Sequence, residues 1–167
     1  MRELHPTPYR THISAHDFET AAKFAKAAKG YPASAVEYEA LVEAAVIRYA
    51  RPFSSNEKPG KGKADARLSV NVADILTSQA DMDLHKRVIT LRNKMVAHAE
   101  SEFYPTTLLD PVGTSRASGF AVASKRWHIL EENLDLDALA RIADVMRHAC
   151  LNQMLDWMHK PEADPPQ

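Results

Sequence analysis

The stretch Asp81–Glu100, DMDLHKRVITLRNKMVAHAE, is the part of the chain from which the rest of the fold is most readily read. At about 100° per residue, Leu84, Val88, Leu91 and Met95 fall in one narrow band, the stripe of an amphipathic helix laid against a core. His98, seven residues after Leu91, falls in the same band. Ile89 and Val96 widen the apolar sector on one flank, and Arg92 lies inside it, with His85 one heptad earlier. Lys86, Thr90, Asn93, Lys94 and Ala97 occupy the opposite, solvated side. An arginine in an apolar sector must be paired, snorkel to solvent, or sit at an interface. Between Leu84 and Ala99 the segment holds His85, Lys86, Arg87, Arg92, Lys94 and His98 and no acid, so its local potential is positive.

Other helices bracket this one. Ser14-Ala15-His16-Asp17 reads as the cap of a helix running to Lys29, with Gly30 as a left-handed stop and Pro32 barring continuation. Ser34-Ala35-Val36-Glu37 reads as a capping box, opening a helix whose stripe is Val36, Ala40, Leu41, Ala44, Ala45 and Ile47 and which ends at Arg51-Pro52. Ser54–Lys63 (SSNEKPGKGK) has no hydrophobe and reads as a mobile loop, and Ala66–Ile75 as a short helix. Ser78 or Asp81 starts the helix quoted above. Pro105, Pro111, Gly113 and Gly119 punctuate the apolar pieces Thr106–Leu109 and Gly119–Ala123, which suggest a hairpin or an ordered loop. Asp135 caps a long last helix with Leu136, Leu139, Ile142, Ala143, Met146, Ala149, Cys150, Gln153, Met154 and Trp157 inward. The expected fold class is all-α: a four- to five-helix up-and-down bundle with an irregular or β-hairpin insertion near 101–130. One domain over residues 1–160 and a flexible tail over 161–167 are expected.

Composition narrows the function classes. The 167 residues suffice for one core, and 45% hydrophobic with 26% charged residues is ordinary for a globular chain. Twenty-one basic against 22 acidic side chains exclude a polyelectrolyte, though not a local basic site. The acids gather late: residues 130–167 carry eight acids against three bases. A single cysteine, Cys150, excludes an internal disulfide, and a cytoplasmic setting is expected with no membrane partner. Five glycines disfavour phosphate-cradling loops, and Lys58-Pro59-Gly60-Lys61-Gly62-Lys63 lacks the spacing and the Ser/Thr of a P-loop.

The run Leu91-Arg92-Asn93-Lys94-Met95-Val96-Ala97-His98 resembles the signature of the HEPN superfamily: an arginine, a polar residue directly after it, and a histidine four to six residues on, late in a helix. LRNKMVAH looks like its abortive-infection branch in particular. The resemblance covers about ten residues and implies a bundle of four or five helices. It implies a metal-independent endoribonuclease, cofactor-free, working as a homodimer with two copies of the motif face to face, in phage defence or a toxin–antitoxin system. On that resemblance His98 is the general acid or base for attack of a ribose 2′-hydroxyl on the adjacent phosphate. Arg92 holds that phosphate and Asn93 orients the histidine or the substrate. His85, Lys86 and Lys94 are added as weaker RNA contacts. The partners implied are RNA, a second copy, and a neutralising protein. Some members carry a tyrosine two residues after the histidine; here that position is Glu100, and the nearest tyrosine is Tyr104.

The same residues also fit a non-catalytic HEPN-like dimerisation or partner-binding module, with His98 complementing a helix C-terminus and Arg92 snorkelling. His12 and His16, four apart, lack an H-E-x-x-H context, and no metal site is expected. Lys125-Arg126-Trp127-His128 interleaves cations and an aromatic in a way that suits base stacking or the closing of a small core. Tyr49, Arg51 and Phe53 have no assigned chemistry.

Overall fold

The computed structural model describes residues 6–54, 68, 70–96, 106–109, 121–124 and 129–159. Five α-helices carry the architecture: α1 (Pro6–Ala28), α2 (Val36–Ala50), α3 (Val72–Ile75), α4 (Gln79–Val96) and α5 (Leu136–His159). Short 3₁₀ turns follow α2 (Arg51–Phe53) and precede α5 (Ile129–Glu132). Strands β1 (Thr106–Leu109) and β2 (Ala121–Ser124) pair antiparallel, with Thr106 opposite Ser124 and Leu109 opposite Ala121. They fall in the stretch read as a hairpin or ordered loop.

Side-chain pairs give the relative directions of α1, α4 and α5. Thr11 meets Gln153 while Lys26 meets Asp144 and Lys29 meets Asp137, so α1 and α5 are antiparallel. Asp81 pairs with Arg141 near the start of α4, whereas Arg87 and Lys94, further along it, pair with Glu132 just ahead of α5. That makes α4 and α5 antiparallel as well. The chain is thus predominantly helical and bundled. No helix among the described residues is long and apolar enough to cross a membrane.

The core is a layer of small residues on α1 against larger ones on its neighbours. Ala15, Ala21, Ala22, Ala25 and Ala28 let α1 approach α5 closely, and Leu139, Ile142, Ala143, Met146 and Cys150 fill the seam. Burial pushes the Cys150 thiol up to about 12, so it stays protonated and inert. From α4, Val88, Leu91 and Met95 are buried and Leu84 packs against the core, the stripe read from the sequence. Asp135 caps α5 by accepting from the Ala138 N–H at 2.9 Å. Ser78 accepts from the Asp81 N–H at 3.2 Å to open α4. Ionic contacts at the rim, such as Lys26–Asp144 at 2.8 Å, involve exposed groups and add at most about 1 kcal/mol each.

Four expectations are corrected. First, α1 begins at Pro6, well before the supposed cap. Ser14 is buried inside the helix and donates to the Arg10 carbonyl at 2.8 Å, and Asp17 turns inward to an ion pair. Prolines in a first turn surrender only N–H groups that have no intrahelical acceptor. Second, Gly30 stops α1 without a left-handed backbone; the end closes through N–H bonds from Gly30 to Ala27 and from Tyr31 to Ala28, each 3.0 Å. Third, Ala35 is the N-cap of α2 and no side chain caps it, which leaves Ser34 one position outside the box. Fourth, the α2 stripe is rotated. Val36 is 79% exposed, Ala40 and Ile47 also face solvent, and the buried set is Val42, Ala45, Val46, Tyr49 and Ala50. Burying the Tyr49 ring against Phe18 outweighs burying two aliphatic side chains. Of the short helix expected over Ala66–Ile75, α3 occupies Val72–Ile75, capped by Asn71 at 3.3 Å to the Ala73 N–H. The loop assigned to Ser54–Lys63 lies beyond Ser54 outside the described residues, as do Lys125–His128 and the tail.

Packing at Phe18 should be the steepest single cost. It is fully buried and touches the rings of Tyr49 and Phe53 at 5.5 and 5.7 Å between centroids. Urea unfolding followed by circular dichroism should show Phe18→Ala losing about 3–5 kcal/mol. Val36→Ala, on the exposed face of α2, should stay within about 0.5 kcal/mol of wild type. The reverse order would return α2 to the stripe read from the sequence.

Candidate functional site on α4

Two flanks of α4 are built differently. The flank facing α2 carries His85, Ile89 and Arg92 at helical spacing, beside the buried stripe of Val88, Leu91 and Met95. His85 is half-buried there. Its Nδ1 shares a hydrogen bond with the Tyr49 hydroxyl at 3.1 Å, and its ring lies edge-on to Phe53 at 4.8 Å and to Tyr49 at 5.8 Å. Burial, with a smaller contribution from the Lys86 charge, holds its pKa below the ordinary 6.5. His85 is therefore neutral at neutral pH. Burial likewise raises the Tyr49 phenol, helped by the charge of Asp81, so the hydroxyl keeps its proton.

Along the solvated side the cations have different fates. Arg87 donates to the Glu132 backbone carbonyl and pairs with its carboxylate at 3.3 Å, and Lys94 reaches the other Glu132 oxygen at 3.5 Å. One acid from the turn before α5 thus engages two of the bases. Lys86 is exposed and has no acid within 4 Å among the described residues. Arg92 is half-buried, and the only side chain its guanidinium meets among the described residues is that of Asn93, whose Oδ1 accepts from Nη1 at 3.2 Å. The bond spans neighbouring positions, so Arg92 bends toward solvent and away from the core stripe. It is a guanidinium held by an amide, and most of its five donors have no partner among the described residues.

Of the residues singled out in the sequence, Arg92 and Asn93 come together. His85 is drawn to Tyr49, Lys94 to Glu132, and Lys86 stands apart in solvent. His98 lies outside the described residues. Sequence reasoning left Tyr49 and Phe53 without a role, yet they form the wall on which His85 sits. Their i, i+4 spacing across the end of α2 and the turn after it was the available signal. His12 and His16 are both helical and exposed, and among the described residues no group of three His, Cys, Asp or Glu side chains is placed to hold a metal ion. A hollow of about 80 Å³ between Tyr38, Val42, Ile129, Asn133 and Leu134 is lined by no histidine, carboxylate or thiol. Asn133 closes it with a left-handed backbone at φ 44°.

No protein-family model, no curated protein and no solved structure matches this chain.

The His85 environment has a pH consequence with a definite sign. Its folded pKa is depressed, so the unfolded chain binds the proton more readily. The stability it lends is whole above 6.5 and is lost as pH falls from there through the folded value. Urea midpoints measured from about pH 7.5 down to about pH 5.5 should fall less steeply in His85→Phe than in wild type. Equal slopes would mean that His85 titrates like a solvated imidazole.

Proposed function

We propose that this chain is a HEPN-like, metal-independent endoribonuclease that works as a homodimer, in a role such as phage defence or toxin–antitoxin control. The observation that carries the reading is the state of Arg92. On a helix where Glu132 engages Arg87 and Lys94, Arg92 has no carboxylate among the described residues and is steadied by the Asn93 amide. A guanidinium with no carboxylate partner among the described residues is suited to a phosphate, which its forked N–H donors match in shape and charge.

In this reading Arg92 grips the scissile phosphodiester and stabilises the negative charge that grows on its oxygens. Asn93 keeps the guanidinium pointed outward, and its amide N–H₂ remains able to donate to substrate or histidine. His98 removes the proton of the 2′-hydroxyl or protonates the departing 5′-oxygen, the paired duties that an imidazole near pH 7 performs. The products are a 2′,3′-cyclic phosphate and a 5′-hydroxyl, and no metal or cofactor takes part. Lys86 supplies a further electrostatic contact to the RNA backbone. His85 is neutral and engaged with Tyr49, and Lys94 is shared with Glu132, so both contribute less than Lys86. The positive stretch on α4 and the helical bundle support the same reading.

The test is cleavage of mixed single-stranded RNA by the purified protein in EDTA, with product ends mapped. Wild type should generate cyclic-phosphate ends. Arg92→Ala and His98→Ala should each lose about 10²- to 10³-fold in rate, while Lys94→Ala should change it by less than about tenfold. A folded, dimeric wild type that leaves every RNA intact would replace the enzyme with a dimerisation or partner-binding module using the same helix.

A further inference from the structure

Away from Arg92, two arginines converge on a single acid where α1 meets the end of α2, and a third binds the backbone beside them. Asp17 is completely buried. Arg51 grips it with two donors, Nη2 to Oδ1 at 2.6 Å and Nε to Oδ2 at 2.7 Å, and Arg48 Nη1 adds a third at 3.1 Å. Arg10, two turns before Asp17 on the same stripe of α1, does not reach that carboxylate. Its Nη2 donates instead to the Arg51 backbone carbonyl at 3.1 Å, and its Nε is buried with no acceptor.

The charge count is unbalanced. Arg10, Arg48 and Arg51 bring three positive charges to one carboxylate, and no second acid lies within 4 Å of them among the described residues. The surplus is two. Asp17 explains Arg51 and most of Arg48; it does not explain Arg10. A buried guanidinium donor without an acceptor, beside two further cations, is the arrangement that a bound anion completes. Arg48 and Arg51 keep 36% and 37% of their side-chain surface exposed, so the cluster is open to a ligand from solvent. Its floor is rigid, because Asp17 fixes Arg48 and Arg51 from below while Phe18, Tyr49 and Phe53 pack beneath the turn.

We propose that Arg10, Arg48 and Arg51 form a binding site for a dianionic phosphate group: inorganic phosphate or the terminal phosphate of a nucleotide. Asp17 acts as the fixed base that preorders two of the three guanidiniums. The surplus of two charges selects a dianion over a carboxylate or an internal phosphodiester, each of which carries only one. Arg10 adds to the two preordered guanidiniums an Nε donor that has no acceptor of its own. The site is separate from Arg92 and does not depend on RNA cleavage.

Isothermal titration at low ionic strength decides it, with inorganic phosphate, a nucleoside 5′-monophosphate and a dinucleoside phosphodiester as probes. Wild type should bind one equivalent of phosphate or of the monophosphate, and should bind the diester at least about tenfold more weakly. Tighter binding of the monophosphate than of inorganic phosphate identifies a nucleotide as the source, and the opposite order identifies free phosphate. Arg10→Gln leaves both Asp17 ion pairs intact and should weaken binding by at least about tenfold. Arg48→Lys keeps the charge beside Asp17 but loses the fork, and should weaken it similarly; it decides the matter if Arg10→Gln does not fold by circular dichroism. Absence of saturable phosphate binding by wild type, unchanged affinity in the folded variants, or equal affinity for the diester overturns the site.

Discussion

A carboxylate taken wholly out of water is the constraint from which the rest of this bundle follows. Asp17 could not be buried ionised without partners, because desolvating a lone charge costs several kcal/mol even after relaxation. Arg48 and Arg51 supply those partners from α2 and the 3₁₀ turn behind it. The pairing sets the depth and rotation of α2 against α1, and it explains why Tyr49, lying between the two arginines in sequence, faces inward. Once Tyr49 is buried, Phe18 and Phe53 close around it, and His85 of α4 docks against both Tyr49 and Phe53. One ion pair between α1 and α2 is thereby transmitted through a ring cluster to the helix that bears Arg92.

The same chain of contacts shows how a protein of nearly neutral charge keeps an arginine available. Glu132 reaches two α4 cations and Asp81 binds Arg141 through both oxygens, at 2.8 and 2.5 Å. The Arg141 hydrogen bond holds the Asp81 carboxyl below the usual range, so that pair stays ionised to lower pH than a solvated carboxylate would. Each contact lies at the surface of the bundle and is worth little in stability. Their effect is on distribution: Glu132 and Asp81 are directed to Arg87, Lys94 and Arg141, and among the described residues Arg92 is left with a neutral amide.

How much of this was legible beforehand depended on the range of the interaction. The α4 stripe of Leu84, Val88, Leu91 and Met95 and the Asp135 cap of α5 are local patterns, written within one or two turns, and both were readable. Asp17 was misread because a carboxylate after Ser14 has the local form of a helix start, while the arginines that bury it lie 31 and 34 residues away. Only pairing across that distance distinguishes a cap from a buried ion. The α2 face failed for a related reason. Val36, Ala40 and Ile47 make as regular a stripe as Val42, Val46 and Tyr49, and periodicity alone cannot rank two apolar faces. The ring partners Phe18 and Phe53 break the tie, and neither belongs to α2. For the candidate site, the motif residues were legible as residue types, whereas the engagement of Lys94 by Glu132 and of His85 by Tyr49 was not.

Arg92 and His85 stand one heptad apart on the same flank of α4 and have opposite electrostatic characters, and the difference follows from what faces them. His85 meets an aromatic wall, which favours the neutral ring. Arg92 turns its guanidinium to the Asn93 amide, the one side chain it is bonded to among the described residues. A site for a phosphodiester needs a permanent cation where charge develops, and a group that exchanges protons near neutrality beside it. Arg92 meets the first need. His85 does not meet the second, because its depressed pKa and its bond to Tyr49 anchor it to the core.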